Sequence, residues 1–588
     1  MWRFRQPLDE SSSLFSNNLR IWVWALSFFD FAWSTVFQTS KKTHNEIKIL
    51  FHGDLRYPYL GKDSKGFVLH LIKPKRLDDK QALFQGLKFN LQDLNHRKII
   101  WYLFKASVYH LSVHSQVSDF SVYSKWARDK HLNLSTFVIS LLEDAIINSH
   151  LRQSFRHMLP EIAYGNAISF VRMKDVQHLA SKSSKVLTSA LLNYHLGRVK
   201  GSLGDDAQTE IEAITSILRK LSDDSTVDDR IEAATKIYET FSLYGEAFEV
   251  PSLLYTESHG TNDLFYEPYI PREEEIRPIL TQAISTIDND VKNEEQLKTF
   301  LQDLTEGEAQ QALTAWKEQE NSKLKILRGY IEIGKETRFE EFEFPVEDYV
   351  EFQRRREYLS SPIRRILHQL RLLKNVGGED FRQESGFVDL QEAIQVIASK
   401  SQRTDIFARE ELQTREDAWS ILIDASHSLN MFKGEVRGIA LCLSEVARSL
   451  ILDPSSWGMF AFNDKFYVIK DFSEKFDARV KARIGGLSYG GLTYLPDAIM
   501  LAAQALTKRL EEARVLVIVS DFFPAGFEGA EEKLKENIKK IERLGISIIG
   551  IGVNSRAVKQ YLRTNCVVEG PYDLMKKFTK AFVEFNGS

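Results

Sequence analysis

Apolar residues recur at three- and four-residue spacing over residues 101–113, 134–147 and 186–196, which predicts helices with a buried face. Residues 205–221 and 228–244 alternate more strictly between apolar and polar faces. Acidic residues near their starts suit helix N-termini. From about Pro251 to Thr414 the chain turns polar. Charge-rich helices are predicted at 294–304 and 308–333, then an acidic-aromatic run, Glu340-Glu341-Phe342-Glu343-Phe344-Pro345, whose alternation and proline predict an extended or edge segment. No period of 20 to 50 residues repeats, which argues against a solenoid.

From about Arg415 the pattern changes. An apolar run, 418–424, ends in Asp424, and a helical stretch follows at 436–450. Two strand-like runs, 459–462 and 466–469, are split by Asn463-Asp464, a hairpin turn by composition. A helix at 498–510 precedes the apolar strand 515–519, which ends at Ser520-Asp521. A helix at 531–544 then leads into a strand at 546–551. Strands alternating with helices predict a doubly wound parallel sheet, whose ligands bind beyond the carboxyl ends of the strands. Asp424 and Asp521 both fall at such ends. The predicted organisation is multi-domain: a helical N-terminal region (1–250), a helical, charge-rich connector (251–414) and a C-terminal α/β domain (415–588).

Composition narrows the classes. With 588 residues the chain is too long for one ordinary core. Hydrophobic residues at 43% and charged residues at 27% describe a globular chain. Lys plus Arg is 77 against 81 Asp plus Glu, so no global basic field draws nucleic acid, and none is expected as a partner. Two cysteines, Cys442 and Cys566, exclude a disulfide scaffold and a four-thiolate zinc site, and fit a reducing compartment. The first residues lack the pattern of a secretory signal. The most apolar stretch, 21–37, is short for a bilayer and carries Asp30, so no membrane insertion is expected. Trp22, Phe29 and Trp33 within it read as core residues, and the expected location is the cytoplasm.

Asp424-Ala425-Ser426-His427-Ser428 sets two hydroxyls just past a strand-end carboxylate. Alternate side chains of an extended turn share a side, so Asp424, Ser426 and Ser428 can aim at one point. Gly490-Gly491-Leu492-Thr493 offers a further hydroxyl on a flexible loop, and Asp521 a second carboxylate. Such an all-oxygen set suits a hard divalent cation: Mg²⁺ fits best, with Mn²⁺ or Ca²⁺ as alternatives. The competing reading is ordinary caps and turns, where Asp and Ser are favoured anyway.

On these residues the segment from about Arg415 to Phe585 resembles a von Willebrand factor A (VWA) domain. The resemblance assigns Asp424, Ser426, Ser428, Thr493 and Asp521 to a metal-ion-dependent adhesion site. Its ion keeps a position open for an acidic side chain of a partner. Two positions depart from the pattern: His427 stands where a small residue is usual, and Phe522 where Gly commonly follows the last Asp. Upstream, Arg364-Arg365 to Leu373, Asp389 to Ile394 and Phe407 resemble the connector of VWA accessory proteins that work with MoxR-type AAA+ ATPases. Relatives of that group assist nitric-oxide reductase, Rubisco or carbon-monoxide dehydrogenase. The resemblance implies a non-enzymatic adaptor between such an ATPase, as a separate polypeptide, and a client protein. The chain itself has no P-loop signature. Metal-chelatase subunits are more distant relatives and supply another alternative.

A second constellation lies in the helical region. His110 and His114 stand at i and i+4, the spacing of zinc-binding helices, and Glu143-Asp144 on the next strong helix could supply a third ligand, with Glu143 the candidate named. The arrangement resembles a zincin whose general-base Glu is replaced by Leu111, so Zn²⁺ binding does not imply peptide hydrolysis. The competing reading is two helix histidines meeting solvent or polar neighbours. Arg354-Arg355-Arg356, with Arg364, Arg365, Arg371 and Lys374, reads as a solvated or partner-facing helix. No Gly-x-Ser-x-Gly signature of a nucleophile occurs.

Overall fold

A computed structural model describes residues 27–242, 266–288, 304–374, 378–383, 387–388, 390–399, 403–411, 417–451, 453–511 and 513–586. The expected features at Trp22, Asp389 and Arg415, and most of the helix expected at 294–304, lie outside these residues. The chain divides into two compact units, Met1–Ser322 and Lys323–Ser588; the division falls inside the helix Glu306–Ile333 and within the stretch expected to be a connector.

The first unit is mostly helical, and three of its helices matter below: α1 (Leu94–Val117), α2 (Leu132–Ser154) and α3 (Lys182–Leu196). Asp93 caps α1 by accepting from the Asn95 amide, and Ser181 caps α3 by accepting from Ser184. Gly197, at φ 64°, ends α3 in the left-handed conformation that glycine adopts without strain. Every residue of α1 from Lys98 to Ser115 is buried, which marks it as the central helix of its unit. Helix Phe28–Ser40 lays Phe28 and Phe31 edge-on against Trp101, with ring centroids 5.2 and 5.3 Å apart, and Phe29 and Trp33 stack beside the same core. Between Ile47 and Asn90 the chain forms six short strands in two three-stranded sheets, where the sequence reading expected mostly helices. Strands of two to six residues give too little alternation to stand out from their surroundings. Among the described residues no helix is long and apolar enough to cross a membrane.

The second unit is built on a seven-stranded sheet: β1 (Phe342–Glu343), β2 (Asp417–Asp424), β3 (Trp457–Phe462), β4 (Phe466–Lys470), β5 (Ala513–Ser520), β6 (Ile546–Val553) and β7 (Asn565–Val568). Its order is β7-β6-β5-β2-β3-β4-β1, with β3 and β4 the one antiparallel pair, closed at Asn463-Asp464. Alternation along the strands sorts side chains to two faces. Trp419, Ile421 and Ile423 of β2 and Val515, Val517 and Val519 of β5 pack with α4 (Lys433–Leu450) and α7 (Pro571–Asn586). Ala418, Leu422, Leu516 and Ile518 pack with α5 (Leu495–Thr507) and α6 (Ala530–Arg543). Both faces are covered, so the central strands are buried on both sides and mostly apolar. The acidic-aromatic run supplies the edge strand β1: the Phe466 amide donates to the Glu341 carbonyl at 3.0 Å, and Lys465 pairs with Glu343 at 3.5 Å. The arginine run is engaged within this unit: Arg355 donates to Glu351 at 2.6 Å and Arg356 to Glu445 at 3.0 Å.

Candidate metal centre

β2 and β5 are neighbours in parallel register, Ile423 opposite Val519, so their carboxyl ends bring Asp424 and Ser520-Asp521 to one place. The Asp424 carboxylate is fully buried. One oxygen accepts from the Ser426 amide at 2.9 Å, and the other from the Ser520 hydroxyl at 2.6 Å. Ser426 and Ser428 hold their hydroxyl oxygens 3.0 Å apart. Ser428 lies in the short 3-10 helix His427–Phe432, where an extended turn was expected, and stands at the exposed side.

The loop bearing Thr493 is laced to this turn. The Gly490 amide donates to the Ala425 carbonyl at 2.9 Å, and the His427 amide to the Gly491 carbonyl at 3.2 Å. Gly491 sits at φ 73°, and a Cβ there would fall 1.9 Å from an Asp464 carboxylate oxygen, so the loop requires glycine at this position. The Thr493 carbonyl accepts from the Ala525 amide at 3.1 Å, which joins the loop to the segment after Asp521. Asp521 accepts from the Phe523 amide at 3.1 Å. Thr493 and Asp521 are both buried. Burial, and then the negative charge of Asp521, push the Asp424 carboxyl up to about 7 against the opposing hydrogen bonds of Ser426 and Ser520. A dication would relieve both costs, and an all-oxygen donor set with two carboxylates is what a hard ion takes. The residues present fit such an ion.

His427 and Phe522, the two departures from the pattern, behave differently. The His427 side chain is exposed, while its amide is committed to the Thr493 loop. Phe522 adopts φ 59°, the left-handed conformation for which glycine is suited, and its ring is buried, stacked on Tyr561 at 6.5 Å. Two further residues, not singled out for the site by the sequence, hold its parts in place. Ser520 holds Asp424 and accepts from the Phe522 amide at 3.0 Å, and Asn463 donates to the Gly490 carbonyl at 2.9 Å. A polar residue closing an apolar strand was the available signal for Ser520.

In the first unit His110 and His114 are buried on α1, one turn apart, and do not meet solvent. Their carboxylate partner is Asp144, 3.4 Å from His110 Nε2 and 3.1 Å from His114 Nε2. This corrects the expectation of Glu143. Consecutive helix residues point about 100° apart, so only one of Glu143 and Asp144 can face α1. Glu143 instead accepts from the Tyr123 hydroxyl at 2.7 Å and from Arg230 at 3.2 Å. His195 on α3, which no sequence signal singled out, lies 3.8 Å from the other Asp144 oxygen.

A parallel-rich sheet wound on both faces, with carboxylates and hydroxyl-bearing loops beyond the ends of its central strands, places the second unit in the doubly wound α/β class. Residues 420–578 match the family model described as von Willebrand factor type A domain, so the chain carries a VWA domain. Such a domain suggests a protein-interaction or metal-dependent adaptor role, and VWA domains commonly bind a divalent ion. No curated protein matches the chain. Among solved structures, a point mutant of the PilB minor pilin from Streptococcus sanguinis is 13% identical at a TM-score of 0.24, over 31% of this chain and 65% of that one. The chain thus spans less than two thirds of that pilin's length. The RO (RSR) protein of Deinococcus radiodurans is 12% identical at a TM-score of 0.22, over 81% of this chain and 95% of that one.

Proposed function

We propose that the chain is a non-enzymatic, metal-dependent interaction protein. Asp424, Ser426, Ser428, Thr493 and Asp521 would hold Mg²⁺, or Mn²⁺ or Ca²⁺, and the ion would offer a coordination position to a partner's carboxylate. The observation that carries this reading is the buried Asp424 carboxylate, set against the charge of Asp521 and adjoining the Ser426–Ser428 hydroxyl pair. Oxygen donors with two negative charges favour a hard dication over a softer metal.

The rim supports a protein as the occupant. Met431 is 89% exposed, Phe523 62% and Leu492 47%, and each lies on a segment that also bears a site residue. Exposed large apolar side chains on the same segments as a charged centre are the composition of a protein-binding patch, not of a small-anion site. The partners proposed are a MoxR-type AAA+ ATPase and a client, a metalloenzyme awaiting maturation, one of which supplies the acidic side chain. Asp424, Ser426 and Ser520 would keep the ion's protein-facing side fixed, and the apolar rim would exclude water from the captured carboxylate.

The test is retention of partners from native lysate on the immobilised full chain in Mg²⁺, with elution by chelator and identification by mass spectrometry. An AAA+ ATPase or metalloenzyme released by chelator, and not retained by Asp424→Ala, is the expected outcome. Retention unchanged by both chelator and substitution would refute metal capture.

A further inference from the structure

We propose that His110, His114, Asp144 and His195 form a zinc site that joins α1, α2 and α3 inside the helical unit, separate from the oxygen-lined centre of the VWA domain. The first ground is distance. Tetrahedral zinc with nitrogen and oxygen ligands at about 2.0–2.2 Å places neighbouring ligand atoms roughly 3.3–3.6 Å apart. Asp144 Oδ1 stands 3.1 Å from His114 Nε2 and 3.4 Å from His110 Nε2, and the second oxygen, Oδ2, stands 3.8 Å from His195 Nε2. The ligand atoms of His110, His114 and Asp144 all lie within 4.8 Å of one another.

The second ground is how the rings are held. Metal-bound histidines fix their orientation through the outer ring nitrogen, leaving the other for the ion. His114 Nδ1 lies 2.9 Å from the Ser118 hydroxyl while its Nε2 faces Asp144. His195 is held likewise on its outer side: Nδ1 is 3.2 Å from the Asn148 amide nitrogen, and Nε2 faces Asp144. An amide can turn its oxygen to Nδ1–H and free Nε2 as a lone-pair donor. Ser118 and Asn148 are thus the outer supports of two rings that converge on one carboxylate from different helices.

The donor set and its burial define the chemistry. Three imidazoles with one carboxylate favour Zn²⁺ over Mg²⁺ or Ca²⁺, which prefer oxygen throughout. The four side chains are 1–2% exposed, so the coordination is closed, as in structural sites. Leu111, between the two α1 histidines, offers no base to activate water. The ion's role is therefore to tie three helices, and the inference stands whether or not the VWA site binds a partner.

The full chain, produced in zinc-supplemented medium and desalted into excess Mg²⁺, is analysed for zinc by mass spectrometry. Close to one zinc per chain is expected for the wild type and for Asp424→Ala, and less than about a tenth for Asp144→Asn and His114→Ala. Zinc below about a tenth per chain in the folded wild type overturns the proposal, and so does full retention by Asp144→Asn. Should the substituted chains fail to fold, wild-type protein produced in cobalt decides. Visible absorption of tetrahedral Co²⁺, bleached by added Zn²⁺, supports the site; its absence overturns it.

Discussion

Replacing Asp424 by Asn should stabilise the metal-free protein at pH 7.5 while abolishing its response to Mg²⁺. The Asp424 carboxyl is pushed from the ordinary 3.8 up to about 7 by burial and by Asp521. Linkage sets the sign. A carboxyl whose folded pKa is raised binds its proton more tightly in the native state, so stability is full below pH 3.8 and is lost as pH rises towards 7. At 1.36 kcal/mol per unit, ionising Asp424 at pH 7.5 costs the native state about 4 kcal/mol, more than half of which is lost between pH 5 and pH 7.5.

Asn removes that charge. Its amide oxygen can still accept from Ser426, and its –NH₂ can donate to the Ser520 oxygen in place of the hydroxyl proton now given to Asp424. Allowing about 1 kcal/mol for the weaker hydrogen bonds leaves a net gain of about 3 kcal/mol in chelator at pH 7.5. Bound Mg²⁺ would stabilise only the wild type, by about 2.7 kcal/mol at a hundredfold excess over its dissociation constant. Hydrogen exchange of peptides covering β2 and β5, read by mass spectrometry in the full chain, reports on this sheet without interference from the helical unit. In chelator, protection should fall between pH 5 and 7.5 for the wild type and stay level for Asp424→Asn, after correction for intrinsic exchange. Faster exchange in Asp424→Asn than in the wild type, or a wild type indifferent to pH, would refute the account of Asp424.

The sheet was legible because its signal is local. Apolar runs of five to eight residues ending in a polar residue, with helices between them, leave one architecture, and the Asp-x-Ser-x-Ser turn marks one corner of it. Even the hairpin at Asn463-Asp464 and the edge segment at Phe342–Glu343 carried their own turn and alternation signals. The partner of that edge strand did not, because pairing with β4 joins residues more than a hundred positions apart. Ser520 escaped for a related reason: its hydroxyl matters through Asp424, 96 positions away. In the helical unit, spacing found His110 and His114, which share one helix, but could not choose between Glu143 and Asp144. That choice depends on how α2 is rotated against α1, and such rotation is set by packing across the whole helix. His195 comes from a third helix, so no spacing rule reaches it.

The Glu143 correction has its own test. Glu143 is fully buried and paired with Arg230, so Arg230→Ala should cost about 3–5 kcal/mol of stability by leaving a buried charge, while Glu143→Gln leaves zinc content unchanged. Urea unfolding and metal analysis read the two effects, and loss of zinc in Glu143→Gln would restore Glu143 as a ligand. Phe522 offers a sharper comparison, because its two roles oppose each other. Removing its buried ring, which stacks on Tyr561 and closes over Gly550, should cost about 3–5 kcal/mol whichever small residue replaces it. Alanine keeps a Cβ at φ 59° and so retains left-handed strain of about 1–2 kcal/mol, which glycine releases. Glycine also gains entropy in the unfolded chain, worth about 0.4–1 kcal/mol against it. The balance leaves Phe522→Gly more stable than Phe522→Ala by up to about 1.5 kcal/mol, the reverse of the usual order at ordinary backbone angles. Urea midpoints with equal slopes measure the difference, and a more stable alanine variant would mean that the strain assigned to this position is absent.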